Sequence, residues 1–163
     1  KQSGFTIIEL LVTIALLSTV AIIAVPNFIG WLPDYRLRSA AQDLLSNYQK
    51  AKLTAVKRNI NTAICFNSSG YSVFLDPNTN FVNDGEEVVT TVSWSDYKSL
   101  TLTYPGDFNF VDTSGQPCIG FRATGIPIDA AAAATASGNA VLTNTNSKTS
   151  TVQVSAAGSV YIE

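Results

Sequence analysis

The sequence predicts an α+β fold in which one long N-terminal helix packs on an antiparallel β head. Three observations predict it. The chain is almost wholly apolar from Phe5 to Ile29. Between Leu37 and Val56 apolar residues recur at three- and four-residue spacing. From Asn61 onward the period switches to two, with turn signals between short strands. At 163 residues, the chain has the length of a single domain.

The first element is the apolar run FTIIELLVTIALLSTVAIIAVPNFI, preceded by the short, polar, positive Lys1-Gln2-Ser3-Gly4. As a helix, 5–29 spans ~37 Å at ~1.5 Å per residue, enough to cross a bilayer. A cleaved signal peptide has a shorter apolar region that ends in a small-residue site such as A-x-A. Here the run instead flows into another helical segment, so 5–29 reads as a transmembrane helix. Glu9 does not belong in an ordinary anchor, because a carboxylate among lipid tails needs a partner or a job. No other group inside the apolar run can neutralise it, so its partner is expected from elsewhere, from an identical neighbour.

The second element, 30–60, opens with Gly30-Trp31-Leu32-Pro33-Asp34. Gly30 and Pro33 predict a bend or break there. Leu37, Ala40, Ala41, Leu44, Leu45, Tyr48, Ala51, Ala55 and Val56 then form the buried stripe of an amphipathic helix. Arg36, Arg38, Lys50, Lys52, Lys57 and Arg58 fall mostly outside it. They read either as a solvated face near a membrane or as a contact with a neighbour's acidic head.

The head, 61–163, reads as strands at 62–66, 71–75, 88–94, 100–104, 118–122, 140–143, 151–154 and 159–162. Ser69-Gly70, Asp84-Gly85, Pro105-Gly106, Ser114-Gly115 and Ala157-Gly158 supply turns. Asp129–Gly138, with its alanine run, reads as a short helix or a loop. An antiparallel head of this kind buries the amphipathic stripe.

Composition narrows the function. The chain has no His and no Met, so the commonest general base and metal ligand are missing. It contains no G-x-S-x-G, no phosphate-cradling glycine loop, no H-E-x-x-H and no paired C-x-x-C. These absences argue against an enzyme. Residues 1–60 carry seven Lys/Arg against three Asp/Glu, and residues 61–163 carry three against nine. The head is therefore acidic, unlike the basic face of a nucleic-acid binder. Cys65 and Cys118 read as a disulfide if the protein is exported, worth roughly 4 kcal/mol in the chain-entropy model, or as two buried thiols.

Gly4-Phe5-Thr6-Ile7-Ile8-Glu9-Leu10 resembles the class III signal of type IV prepilins and pseudopilins. In that pattern a basic leader ends in Gly, Phe follows, and Glu is the fifth mature residue. The resemblance implies that Lys1–Gly4 is the end of a leader and that a prepilin peptidase cuts between Gly4 and Phe5 and methylates the new amino group of Phe5. It also implies that Glu9 pairs with the N-terminus of Phe5 on an adjacent subunit, and that Pro26 is the helix-bending proline of many pilins. The implied architecture is the pilin fold with two small sheets.

The Leu44-Leu45 to Arg58-Asn59 helix end, entering Ile64-Cys65, resembles the GspH/FimT group of minor pilins and pseudopilins. Phe121-Arg122-Ala123-Thr124-Gly125 and Val152-Gln153-Val154 followed by Gly158-Ser159-Val160 continue the pattern. The resemblance implies a structural subunit of a type IV pilus or type II secretion pseudopilus. Its partners would be other pilin subunits, the prepilin peptidase and, before assembly, the bacterial inner membrane. The head would be periplasmic, and the filament periplasmic or extracellular. The alternatives are a major shaft-forming pilin, or a minor pilin that binds DNA for uptake. DNA-binding members carry a Gly-Arg-x-Arg-like tail, whereas this chain has Gly158-Ser159-Val160-Tyr161, so nucleic acid is not expected.

The twelve residues Asp76 to Glu87 resemble a calcium loop, with oxygen ligands at Asp76, Asn78, Asn80, Asp84 and Glu87. The sixth position, which should be Gly, is Phe81. The other reading is a hairpin loop rich in Asn and Asp for turn reasons. Calcium is the one cofactor the sequence suggests.

Overall fold

The computed structural model describes residues 4–97, 100–103, 115–128 and 137–163. One helix, α1, runs from Ile7 to Arg58. Thr6 caps its start: its hydroxyl accepts from the Glu9 amide while the Glu9 carboxylate accepts from the Thr6 amide. This T-x-x-E arrangement is a capping box that satisfies two otherwise orphaned donors. At the far end Asn59 takes the left-handed conformation (φ 54°) and its amide bonds the Ala55 carbonyl.

Of the bend or break expected at Gly30 and Pro33, a break does not occur. The helix continues through both Pro26 and Pro33. A proline removes one amide from the ladder, and packing can keep the helix intact when the other bonds survive. Here the head reaches across to hold the junction. Asn146 Nδ2 donates to the Gly30 carbonyl at 3.0 Å. Asn144 Nδ2 and Lys148 Nζ both donate to the Asp34 carboxylate, at 2.8 and 2.5 Å. The division at residue 30 is thus a change of surroundings along one helix.

The head has two sheets. Strands β1 (Thr62–Asn67), β2 (Gly70–Leu75), β3 (Val88–Ser93), β5 (Cys118–Phe121) and β6 (Pro127–Ile128) form the first, in the order β3-β2-β1-β5-β6. Strands β4 (Leu100–Thr103), β7 (Gly138–Asn144), β8 (Thr149–Val154) and β9 (Val160–Ile162) form the second, in the order β4-β7-β8-β9. Every pairing in both sheets is antiparallel. The short β6 is not visible as a period-two run. Its Pro127 is tolerated because β6 is an edge strand. A single 3-10 turn, Trp94–Asp96, follows β3 where the strand was expected to continue. Tyr104, Pro105-Gly106, Ser114 and the alanine run 129–136 lie outside the described residues.

The second half of α1 lies on both sheets. Leu37, Ala40, Ala41, Leu44, Tyr48, Ala51 and Ala55 are buried against Ile64, Phe66, Tyr71, Ile119, Phe121, Leu142 and Val152. Tyr48 meets Phe66 and Phe121 at ring-centroid distances of 6.4 and 6.5 Å. The alanines let the helix approach closely, and Leu44 and Tyr48 fill the space between the sheets. Two members of the expected stripe differ. Leu45 is only half-buried, and Val56 is 50% exposed, at the margin of the contact beside Gly125.

Candidate functional site

The first half of α1 has no cover. Phe5, Ile7, Ile8, Leu16, Leu17, Ile22, Ile23 and Phe28 are all more than half exposed. No part of its most apolar stretch is buried, and the helix is long and apolar enough to cross a membrane. An uncovered apolar surface of this length marks a lipid or protein contact. The run's hydroxyls are already satisfied. Thr13, Ser18 and Thr19 donate to the carbonyls of Leu10, Ile14 and Ala15. They therefore enter an apolar medium without an unpaired donor.

Glu9 sits at the beginning of this helix, not in its middle. Its carboxylate accepts from both the amide and the hydroxyl of Thr6, each at 2.9 Å. Within its own segment it thus has a hydrogen-bonding partner but no neutralising one. Thr6 supplies hydrogen bonds, though no positive charge. The signal was readable as T-x-x-E before an apolar run, and the anchor reading passed over it. Negative charge is also favoured at a helix N-terminus. Gly4 and Phe5 lie before the cap and are exposed, with Phe5 at 91%. A substituent on Gly4 would meet nothing within 4 Å. The Gly4–Phe5 peptide bond is thus accessible and outside the helix. Pro26 lies within the exposed half.

The basic residues are divided. Lys50 donates to Thr90 Oγ1 of β3 at 2.5 Å, Lys52 to the Gly158 carbonyl at 2.7 Å, and Arg58 forms a bidentate pair with Glu87 at 2.5 and 2.8 Å. These three clasp the chain's own head. Arg38 and Lys57 are exposed. The turn at Gly158 has a positive φ of 80°. A Cβ there would lie 2.6 Å from the Gly125 carbonyl oxygen.

Cys65 and Cys118 form a disulfide. They are register partners on the adjacent strands β1 and β5. The bridge sits in a small second core with Ala63, Phe74, Phe81 and Ile128.

The five oxygen-bearing residues of the 76–87 loop make different attachments. Asp76 is buried, and its carboxylate accepts from the amides of Phe81 and Asn80, at 3.1 and 3.2 Å. Burial pushes its carboxyl up, and the Phe81 and Asn80 amides oppose that rise. Asn78 accepts from the Asn80 amide, and Asn80 donates to Asp84 at 2.7 Å. Glu87 is paired with Arg58, which holds its carboxyl below the ordinary range. Phe81 has φ 59°, the conformation a calcium loop asks of its sixth residue. Its ring is buried beside the disulfide, which offsets the strain. Among the described residues no three or more His, Cys, Asp or Glu gather where a metal ion could be held.

Comparison with known proteins gives two family matches. Residues 40–158 match the family described as type II transport protein GspH, and residues 1–25 match the prokaryotic N-terminal methylation motif. No curated protein matches the chain. Two crystal structures of the type IV minor pilin FimU of Pseudomonas aeruginosa PAO1 are similar to it in fold. One is 16% identical, with a TM-score of 0.53, covering 80% of this chain and 90% of that one. The other is 18% identical, with a TM-score of 0.50, covering 78% and 92%.

Proposed function

The chain belongs to the GspH family of pilin-like type II transport proteins, and from that premise we propose that it is a minor subunit of a type IV pilus or secretion pseudopilus that assembles through the exposed half of its N-terminal helix. The observation that carries this reading is the contrast within α1. A head-packed half is continuous with an uncovered apolar half that begins at Glu9. The methylation motif over residues 1–25 supports cleavage between Gly4 and Phe5 and methylation of Phe5. Cleavage creates a positive amine at Phe5, four residues from Glu9. On a neighbouring subunit that amine supplies the charge that Thr6 does not. Glu9 thus passes from a local cap to an intersubunit pair as the helix moves from bilayer to filament core.

Before assembly the helix lies in the inner membrane with the head in the periplasm. The minor role follows from the family and from the likeness to a minor pilin fold. The shaft role and DNA capture have no comparable support: the head is acidic and the Gly158 turn carries no arginine.

The test is substitution of Glu9. Glu9→Ala and Glu9→Leu are expected to insert into the membrane normally and to be lost from sheared filaments. Incorporation of both variants at the level of the unsubstituted chain would overturn the proposal. N-terminal mass spectrometry of native protein should show methylated Phe5.

A further inference from the structure

The uncovered half of α1 ends in two exposed aromatics. Trp31 and Tyr35 are one helical turn apart, with ring centroids at 5.5 Å, and are 55% and 56% exposed. They follow directly on the apolar run that closes at Ile29. Arg38 continues their line at the next turn and is also exposed, whereas Leu37, Ala40 and Ala41 are buried against the head. The aromatic pair therefore faces away from the head. Neither side chain has a hydrogen-bond partner among the described residues, so the indole N–H and the phenol O–H are free to meet polar groups outside the chain.

The flank of the same turn that adjoins the pair is fixed. Asn146 bonds the Gly30 carbonyl, and Asn144, Asn146 and Lys148 converge on Asp34. The head is thus fastened at the level of Trp31, with no free linker between the last apolar turn and the first head contact. The turn between β7 and β8 stands as deep along the helix axis as the aromatic pair does.

An aromatic body with a polar tip partitions to the boundary between hydrocarbon and water. The run 5–29 is ~37 Å long, against a hydrocarbon thickness of ~30 Å. With the Glu9 carboxylate at the opposite face and the ~20° tilt common to spanning helices, Trp31 lies ~31 Å across and Tyr35 ~37 Å, within the headgroup layer. We propose that Trp31 and Tyr35 form an interfacial collar that rests in the phospholipid headgroup layer. The clamp at Asp34 then holds the head directly on the membrane surface, with Asn146 and Lys148 at headgroup level. The collar sets the depth of the anchor and the height of the head. This rests on the reading that α1 spans a bilayer before assembly.

The experiment uses the full chain reconstituted in phosphatidylcholine–phosphatidylglycerol vesicles. Trp94→Phe leaves Trp31 as the sole indole. Lipids brominated near the headgroup end of the acyl chain are compared with lipids brominated near the methyl end. The protein is expected to float with the vesicles, and Trp31 is expected to be quenched about twofold more by the shallow bromines. In the companion Trp31→Phe variant, Trp94 is expected to be quenched by neither, since its ring packs on Tyr71 within the head. Failure to float overturns the spanning anchor and the collar together. Flotation with Trp31 unquenched, or quenched more by the deep bromines, overturns the collar alone. Protection of Trp31 that develops only in sheared filaments also overturns it and assigns the pair to a neighbouring subunit.

Discussion

The two halves of α1 share one backbone geometry and have opposite surroundings. From Leu37 to Ala55 the helix buries both small and large apolar residues against two sheets. From Phe5 to Ile29 it buries nothing. Helical structure alone therefore says little about what a helix does. The head-packed half is held by tertiary burial, while the first half keeps its helix through capping, internal hydroxyl bonds and the absence of competing water in its working environment. The junction between them is held by polar contacts from the β7–β8 hairpin. Stability of the head and capacity for assembly should therefore respond to different substitutions.

Tyr48→Ala should break the comparison most strongly. It removes a fully buried ring between Phe66 and Phe121 and is expected to cost about 3–5 kcal/mol of head stability. Ile23→Ala, in the exposed half, is expected to change head stability by no more than about 0.5 kcal/mol. Denaturant unfolding of the detergent-solubilised chain, followed by tyrosine and tryptophan fluorescence, checks both. Equal effects of the two substitutions would mean that the halves are not energetically separate.

Removal of the disulfide comes next. Replacing both Cys65 and Cys118 by Ala opens a loop between residues 53 apart in sequence and is expected to cost about 2–4 kcal/mol. The loss should appear in head unfolding and leave vesicle flotation unchanged. A double variant as stable as the parent would show that the second core holds without its bridge.

Asp34 sharpens the boundary itself. Lys148 beside it, with Asn146 and Asn144, holds its carboxyl below the ordinary range. A group whose pKa is lowered on folding contributes stability above its unfolded pKa and loses it as pH falls through the folded one. The clamp is therefore fully present at neutral pH, begins to weaken below about pH 4, and is lost as the pH falls through the lower folded pKa. Asp34→Asn should lower the melting temperature of the head modestly at pH 7, and the gap should narrow progressively as the pH falls below about 4. A gap that stays constant with pH would show that the carboxylate's charge is not what holds the junction.

What was legible in the sequence follows the range of the interactions. The stripe from Leu37 to Ala55 was readable because burial on one helix face imposes its own period. The strand cores were readable for the same reason. Thr6 was equally local, and the reading that placed Glu9 in a bilayer passed over its cap. The contacts of the Pro33 turn with Asn144, Asn146 and Lys148 were not readable, because those residues lie more than a hundred positions away. Val56 is at the margin of the helix–head contact, which the spacing does not delimit. The pairing of Cys65 with Cys118 followed from there being two cysteines. Their position as register partners beside Phe81 did not.

The smallest effect is expected at the 76–87 hairpin, where conformation and ligand set give opposite indications. Phe81 adopts the positive φ that a calcium loop requires, which removes the objection that its residue type raised. The donors nevertheless already have partners: Asp76 accepts two backbone amides, Asn80 binds Asp84, and Glu87 binds Arg58. An ion would have to displace the Arg58 pair before Glu87 could close the site. Calcium at millimolar concentration is therefore expected to give no binding heat in calorimetry and no rise in the melting temperature, since only binding to the native state raises it. A measurable heat with a higher melting temperature would assign the ion. In that case Arg58→Ala should tighten calcium binding by freeing Glu87. If the same substitution leaves binding unchanged, the ion is held without Glu87.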